Sequence, residues 1–195
     1  MLNRFRNDIS KLSISELIQK CINNEEKAQF ELYNRYKASF MQLTRRYVSA
    51  IDQVDDVYQE AFIKIFKSIH LLQNNDAFIP WAKKIFIRTA LNIHKSNKAY
   101  LYEEVIDQCI EEPAEEFYHS SISIDEVVKA ISNLSYSQRT VFNMYVIDEM
   151  SHDEISTLLE ISESYSRVLL TRARRQLRNN LLECGEIVLK PTQTS

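Results

Sequence analysis

The sequence predicts an all-α protein made of two small helical domains joined by an acidic, flexible linker. Its 195 residues include one glycine, Gly185, and three prolines, so it lacks the turn residues that β-hairpins and nucleotide-binding loops require. Apolar residues recur at helical spacing, and four serines stand three residues before a Glu or Gln, as at helix starts. The length alone permits one medium domain or two small ones.

Charge indicates where the two domains meet. The net charge of −3 conceals a basic stretch, 1–98, with 16 Lys and Arg against 10 Asp and Glu, and an acidic stretch, 99–125, with 8 acidic residues and no basic one. The acidic stretch contains Pro113 and lacks a long helical periodicity, which favours a linker that is either a solvated spacer or an occupant of a nucleic-acid channel. The expected divisions are a first domain at 1–98, a linker at 99–122, a second domain at 123–184 and a C-terminal tail at 185–195.

Several kinds of site are not expected in this chain. A single glycine excludes both G-x-G-x-x-G and G-x-x-x-x-G-K-[ST] phosphate loops. Cys21, Cys109 and Cys184 are odd in number and far apart, which favours reduced thiols over disulfides. The histidines show no metal-ligand spacing, so neither a metal nor a cofactor is predicted. No apolar run approaches the roughly 20 residues of a membrane span, and no signal-peptide core is present, so a cytoplasmic protein without membrane insertion is expected.

The first domain is expected to begin with a helix capped by Ser13 and Glu16. A longer helix is predicted through Phe30, Tyr33, Phe40, Leu43 and Tyr47. The clearest apolar face in the chain comes next and comprises Val54, Val57, Tyr58, Ala61, Phe62, Ile65, Phe66 and Ile69. Its outward residues are Asp55, Asp56, Gln59, Glu60 and Lys64. Without further information, this outward face is most simply a solvated one.

A further helix is predicted from Ala77 to Asn97, with Pro80 tolerated in its first turn. Its inward residues are expected to be Phe78, Trp81, Ala82, Ile85, Phe86, Thr89 and Ile93. A basic stripe follows the other side and consists of Lys84, Arg88, Asn92 and Lys95, with Lys83 and Lys98 at its margins. Such a stripe is either a solvated face or a footprint for phosphate groups, with Asn92 available to a base. Trp81 is interpreted as core first and as a base-stacking residue second.

The second domain is predicted to be a compact bundle with a helix-turn-helix. Helix starts are expected at Ser123, Ser135 and Ser151, each paired with a Glu or Gln three residues later. After a short turn at Glu160 and Ile161, Ser162 is a favourable N-cap for the second helix of the motif. That helix is expected to bury Tyr165 or Val168, Leu169 or Leu170, Ala173, Leu177 and Leu181. Its outward residues are Arg167, Thr171, Arg174 and Arg178, with Arg172 and Arg175 beside them.

From about 15 to 182 the sequence resembles the extracytoplasmic-function group of the sigma-70 family of bacterial RNA polymerase sigma factors. The stretch from Asp55 to Phe62, DDVYQEAF, resembles the family's D-[DE]-[LV]-x-Q-[ED]-x-F segment, and the stretch from Phe78 to Ile85, FIPWAKKI, resembles F-x-x-W-[LA]-x-x-I. In the second domain, the resemblance is carried by Leu134-Ser135, Val141-Phe142, Ser151-His152-Asp153-Glu154-Ile155 and Leu170-Thr171-Arg172-Ala173-Arg174. It implies a region 2-like bundle and a region 4-like helix-turn-helix.

The resemblance also implies partners and sites, with no catalytic residue. Binding to the β′ clamp helices of core polymerase is expected at Asp55, Asp56, Val57, Gln59, Glu60 and Phe62. Recognition and melting of the −10 promoter element are expected at Phe78, Trp81, Lys83, Lys84, Arg88, Asn92 and Lys95. Recognition of the −35 element is expected at Ser162, Tyr165, Arg167, Val168, Thr171, Arg172, Arg174 and Arg175. The β flap of polymerase and an anti-sigma factor are further implied partners, and the acidic linker would pass through the active-centre cleft and RNA exit path.

Some positions depart from the family pattern. Glu160 stands where the turn usually has Gly, and Ser166, Val168 and Leu169 replace the common Val, Ser and Arg. In the first domain, Arg88 stands where Asn is frequent, and Asn92 where Asp is frequent. The family's base preferences are therefore not carried over to this chain.

Two other functions are compatible with parts of the pattern. A dimeric helix-turn-helix regulator that binds an operator without polymerase would account for the second domain and would not need the acidic residues from Asp55 to Glu60. An all-helical enzyme with paired carboxylates could be built on Asp55, Asp56 and Glu60, but no nearby His or carboxylate-bearing helix is predicted to join them. We therefore expect a non-enzymatic transcription factor.

Overall fold

The structure is a computed structural model that describes residues 9–48, 52–93 and 123–184. The chain divides into two compact units, Met1–Asn97 and Lys98–Ser195. In the described ranges the regular secondary structure is helical and includes no strand, which confirms the predicted all-α class. The predicted acidic linker, 99–122, and the predicted tail, 185–195, lie outside the described residues, as do Lys95, Lys98 and Cys109.

The first unit is a bundle of α-helices, and its described residues include one 3-10 turn before the first helix and two between the last two helices. Its α-helices are α1 (Ile14–Ile22), α2 (Glu26–Arg35), α3 (Lys37–Tyr47), α4 (Gln53–Ser68) and α5 (Phe78–Ile93). The capping box predicted at the start of α1 is confirmed, because the Glu16 N–H donates to Ser13 Oγ at 3.3 Å and the Ser13 N–H donates to Glu16 Oε2 at 2.9 Å. A side-chain partner is thus provided for amide groups that have none within the helix.

The long helix predicted through Phe30 and Tyr47 is wrong: the structure has two helices, α2 and α3, that meet at Tyr36. The backbone of Tyr36 has φ −103° and ψ 5°, outside the helical region. Ala28 and Leu32, four residues apart, are buried on one side of α2, and Phe30 lies between them on the opposite side, where it is 71% exposed. The Tyr36 ring lies 5.6 Å from that of Phe78, a contact between α5 and the junction of α2 and α3.

The core of the first unit is an aromatic cluster formed by α3, α4 and α5. The rings of Phe40 and Phe86 are stacked at 4.5 Å, and Phe62 meets Phe86 at 5.6 Å and Tyr58 at 5.0 Å. Of the apolar face predicted for α4, the residues from Val54 to Ile69 are buried as expected except Phe66, which is half-buried. Packing between α4 and its neighbours therefore fixes which residues of α4 remain outside.

The second unit is a smaller helical bundle. Its α-helices are α6 (Ile124–Ser132), α7 (Tyr136–Phe142), α8 (His152–Leu159) and α9 (Glu163–Cys184), with a π-helical turn at Asn143–Ile147. Ser123 and Ser151 form the predicted capping boxes. Ser135 also caps its helix, accepting from the Gln138 N–H at 3.4 Å, but only this half of the predicted box is described. Ala130 of α6 and Leu134, just after its end, pack against Ala173 and Leu177 of α9 in a buried cluster.

The turn between α8 and α9 has the tight geometry of a helix-turn-helix. Glu160 ends α8 in the left-handed region, at φ 58° and ψ 40°. The Ile161 N–H donates to Ser156 O at 3.1 Å, and Ser162 Oγ accepts from the Tyr165 N–H at 3.1 Å, as expected of the cap predicted there. A β-carbon is unfavourable in the left-handed region, so Glu160 costs stability that glycine would not.

Replacing Glu160 by Gly is expected to stabilise the second unit by about 0.5–1 kcal/mol, because the strain of a left-handed non-glycine residue exceeds the added entropy of the unfolded chain. Hydrogen exchange of the α8 and α9 amides would measure the change. Glu160→Ala is the matched control, since it removes the same carboxylate but keeps the β-carbon, and it should give no gain. Equal stabilisation by both variants would show that the carboxylate, and not the backbone, is responsible.

Candidate partner-binding and DNA-binding surfaces

An acidic edge, defined as Asp55, Asp56, Gln59 and Glu60, lies on the exposed side of α4. Glu60 forms an ion pair with Lys64 at 2.6 Å, and the Lys64 ammonium also donates to Thr89 Oγ1 at 3.2 Å on α5. These contacts fix one end of the edge against the neighbouring helix. The edge presents carboxylates and an amide to solvent, so it suits a partner with complementary positive charge.

Val57 and Phe62 of the same motif are placed differently from the acidic edge. Both are at most 1% exposed, so they cannot make the polymerase contacts expected of them. They are corrected to supporting residues, because their burial sets the rotation of α4 about its axis.

Sequence reasoning missed Ile63 on this surface. Ile63 is 53% exposed and lies four residues after Gln59, so it continues the face of Asp56 and Gln59 by one helical turn. Ile63 could have been predicted by counting helical spacing from the acidic edge instead of from the apolar face.

The basic stripe of the first unit lies along α5. Lys84, Arg88 and Asn92 are exposed at four-residue spacing, while Lys83 is half-buried. One stripe of this kind matches the repeated charges of a nucleic-acid backbone. Lys95, predicted to extend it, lies outside the described residues.

Two aromatic residues at the start of α5 occupy different environments. Phe78 is fully buried, so its predicted contact with DNA is corrected to a role in the core. Trp81, expected first in the core, is half-buried, and its ring centroid lies 6.2 Å from that of Phe78. Trp81 therefore has a face available at the margin of the basic stripe.

The second surface is the exposed side of α9. Arg167, Thr171, Arg174 and Arg175 are exposed, as is the cap residue Ser162. Arg167 is paired with Glu163 at 2.6 Å, and Thr171 Oγ1 donates to Arg167 O at 3.0 Å. Because positions 167, 171 and 174 share one helical face, this part of α9 presents polar and cationic groups along a line.

The inward side of α9 differs in detail from the prediction. Leu169 and Leu170 are both buried, whereas Tyr165 and Val168 are both half-buried. Ser166 is fully buried and shares a hydrogen bond of 2.9 Å with His152 Nδ1 on α8. A polar contact thus lies within the helix-turn-helix core, where the apolar pattern gives no indication of it.

Arg172, predicted to contact DNA, is only half-buried and has one guanidinium nitrogen, Nη2, buried without a described hydrogen-bond partner. Arg178 is also half-buried. The cationic surface of α9 is therefore centred on Arg167, Arg174 and Arg175.

Comparison with protein families and known proteins identifies the chain. The family described as Sigma-70 region 2 matches residues 32–100, and the one described as Sigma-70, region 4 matches residues 124–177. The ECF RNA polymerase sigma-E factor of Haemophilus influenzae is 26% identical over 184 residues, covering 88% of this chain and 96% of that protein. The same factor in Escherichia coli K12 is 25% identical over 183 residues, covering 88% and 95%. The chain belongs to the extracytoplasmic-function group of the sigma-70 family.

Solved structures share the fold of this sigma factor. CnrH, in complex with the cytosolic domain of CnrY, is 20% identical, with a TM-score of 0.51 over 86% of this chain and 96% of that chain. The sigma factor RpoE from Bartonella quintana, in complex with the anti-sigma factor NepR, is 14% identical, with a TM-score of 0.51 over 74% of this chain and 91% of that chain. Sigma factors are not a class of enzymes.

The described residues of the sigma factor can also be searched for metal sites, membrane-spanning helices and reactive thiols. Among the described residues, no cluster of His, Cys, Asp and Glu could hold a metal ion. None of the described helices has the length and hydropathy to span a membrane. Cys21 is a free, buried thiol in α1, and burial raises its pKa to about 12. A thiol with so high a pKa is protonated at neutral pH and is a weak nucleophile, in agreement with a structural role.

The stability of the sigma factor is expected to depend on pH through His152. The pKa of His152 lies below its ordinary value of 6.5, mainly because the ring is partly buried and also because Arg167 is nearby. The carboxylate of Glu163 has the opposite effect on this pKa. The unfolded chain therefore takes up a proton at higher pH than the folded chain, so stability is present above about pH 6.5 and is lost as the pH falls through the folded pKa. Urea denaturation at about pH 7 and about pH 5.5 would measure the loss.

The matched variant is His152→Phe, which retains an aromatic ring but does not titrate. Its stability should fall less than that of the wild type between the two pH values. If both proteins lost the same stability, other groups would be responsible for the dependence.

Proposed function

We propose that this chain binds core RNA polymerase and directs it to promoters, which its two units recognise at separate elements. The observation that carries the proposal is that one chain has both an exposed acidic edge on α4 and an exposed cationic face on the second helix of a helix-turn-helix. A regulator that binds an operator without polymerase would need only the cationic face of the helix-turn-helix. Family membership supports the same assignment of the two surfaces.

In this proposal, core polymerase binds to the acidic edge, Asp55, Asp56, Gln59 and Glu60, with Ile63 beside it. Charged and amide groups give orientation and partner choice, while an exposed apolar side chain adds buried area. Val57 and Phe62 act from the core by holding α4 in position. The β′ clamp helices are the proposed partner of this edge, and the β flap is a further proposed contact of the chain.

The proposed role of the first unit at DNA is to capture the −10 element as it opens. We assign phosphate contacts to Lys84 and Arg88, a base contact to Asn92 and base stacking to the half-buried Trp81, since the exposure of these residues permits such roles. Lys83 and Lys95 are assigned supporting phosphate contacts. Extruding a base costs roughly a few kcal/mol, which stacking on an aromatic ring and contacts with phosphates offset.

The proposed role of the second unit is to place α9 in the major groove at the −35 element. The N-terminal part of the second helix in a helix-turn-helix contacts base edges, which assigns base contacts to Arg167, Val168 and Thr171. Arg174 and Arg175 follow along the helix and are assigned to phosphates, as are Ser162 and Tyr165 near its start. Arg172 is half-buried, whereas Arg167, Arg174 and Arg175 are exposed.

Binding of both elements by one chain would give selectivity greater than either contact alone. Once one unit is bound, the other is held at a high effective concentration near its site. We assign the joining role to 99–122, where the sequence is rich in acidic residues, and propose that this linker follows the nucleic-acid path of polymerase. Since polymerase and promoter DNA lie in the cytoplasm, the chain is proposed to act there.

An anti-sigma factor is the proposed regulator of the chain. The Bartonella quintana sigma factor that shares its fold is bound to the anti-sigma factor NepR. A protein of this kind would act by covering the acidic edge, the face of α9, or both.

The test is multi-round transcription with sigma-free bacterial core polymerase on a pool of promoter fragments from the source genome, with and without the protein. Discrete new transcripts that require the protein are expected, and their start sites give the two promoter elements. Absence of transcripts and of core binding, with duplex binding retained, would overturn the proposal in favour of an operator-binding regulator.

A further inference from the structure

A chain of side-chain contacts begins and ends on α9, two helical turns apart. Ser166 shares a hydrogen bond of 2.9 Å with His152 Nδ1. The His152 ring is stacked on the Tyr145 ring, with centroids 4.6 Å apart and planes inclined by 27°. The guanidinium carbon of Arg174 lies 5.7 Å from the centroid of the Tyr145 ring. The first contact is on the buried side of α9 and the last is at its exposed face.

We propose that Tyr145 is a positioning residue for DNA recognition: its ring holds the Arg174 guanidinium at the surface that binds the promoter. This rests on the proposed function of the second unit. Tyr145 lies outside α8 and α9, and the family resemblance assigns it no role. The ligand that Arg174 meets in this arrangement is a phosphate group of duplex DNA.

The position of Tyr145 is itself fixed by its surroundings. It lies in the π-helical turn Asn143–Ile147, in which Asn143 and Met144 are buried. The Asp148 N–H donates to Asn143 O at 2.9 Å, and the Met150 N–H donates to Met144 O at 2.9 Å. Stacking by His152, which is tied to the buried Ser166, adds a second constraint on the ring. Tyr145 therefore provides Arg174 with a support that does not depend on DNA.

Such a support matters because a free arginine side chain has many rotamers. Ordering one rotamer-rich side chain at an interface costs about 0.5–1.5 kcal/mol, and preorganisation in the free protein removes part of that cost. A cation over a tyrosine ring within about 6 Å is attracted to it. Arg167, on the same face, is oriented by a different contact, which is its ion pair with Glu163 at 2.6 Å. The Tyr145 ring thus acts on Arg174 in particular.

The first test is a double-mutant cycle on the affinity of the reconstituted polymerase for a promoter recovered by the transcription experiment. Arg174→Ala is expected to weaken binding about tenfold, and Tyr145→Leu about threefold. The double variant should bind like Arg174→Ala, since Tyr145 acts only through Arg174. Tyr145→Phe keeps the ring and should bind like the wild type.

A merely structural role of Tyr145 gives a different result. Tyr145→Leu would then weaken binding by the same factor whether or not Arg174 is present, and this additivity would overturn the inference. An Arg174→Ala variant with wild-type affinity would also overturn it. In both cases wild-type transcription leaves the proposed function standing, whereas a wild type that directs no transcription removes both.

The second test needs no variant and no promoter. In the nuclear magnetic resonance spectrum of the free, full-length protein, the side-chain protons of Arg174 are expected to be shifted upfield by the ring current of Tyr145. Arg175 is the internal reference, since no ring contact of that residue is described. Unshifted Arg174 resonances would overturn the inference even if Tyr145→Leu failed to fold.

Discussion

Changing both Asp56 and Gln59 to lysine is expected to abolish binding to core polymerase, with an affinity loss of more than about a hundredfold. Both residues are exposed on one face of α4, so the substitutions leave the core unchanged and replace one negative and one neutral group with two cations. A partner surface that complements the acidic edge would then face like charges. Core binding would be measured by competition with a labelled wild-type chain, and promoter-dependent transcription should be lost in parallel.

The matched control is the pair Gln73→Lys and Asp76→Lys in the same unit. These residues are exposed, have the same three-residue separation and give the same change in net charge. This variant should retain core binding to within a few-fold, so the comparison separates a local effect of the acidic edge from a general effect of charge. Equal losses in the two variants, or full binding by the Asp56 and Gln59 variant, would contradict the assignment of α4.

Replacing Phe62 by Ala is expected to destabilise the first unit by about 3–5 kcal/mol, the range for removing a buried aromatic side chain. Phe62 contacts the rings of Phe40, Tyr58 and Phe86 at centroid distances between 5.0 and 6.2 Å. Loss of its ring leaves a cavity at the centre of the cluster. Urea denaturation followed by Trp81 fluorescence would measure the change, since Trp81 is the single tryptophan of the chain and lies in this unit.

Phe30→Ala is the control for this experiment. It makes the same chemical change in the same unit, but Phe30 is 71% exposed, so less than about 0.5 kcal/mol should be lost. A similar loss for both variants would show that the aromatic cluster does not dominate the stability of the unit.

Burial of α4 could be predicted from the sequence, whereas the break between α2 and α3 could not. The apolar residues of α4 recur at helical spacing over four turns, and one-sided burial is the direct consequence. Around Tyr36 the apolar residues also permit a continuous helix. The break there is accompanied by a contact between Tyr36 and Phe78, 42 positions later in the chain, which local periodicity does not contain.

The candidate site was predictable as a set of motifs but not as a set of contacts. Asp56 and Phe62 belong to one motif, yet one is exposed and the other is buried, because a motif includes both residues that meet a partner and residues that position them. Tyr145 is the opposite case, because it belongs to none of the motifs that predicted the site. Its relation to Arg174 depends on a π-helical turn and on a ring stack with His152, neither of which has a sequence signature.

We propose that the two units of one chain act on two elements of the same promoter at the same time. Transcription from one recovered promoter, measured as base pairs are inserted between the elements, tests this most directly. An insertion of about five base pairs turns the elements to opposite faces of the duplex, and we predict that it abolishes transcription while substitutions that keep the spacing do not. Transcription that is unchanged by this insertion would contradict the claim.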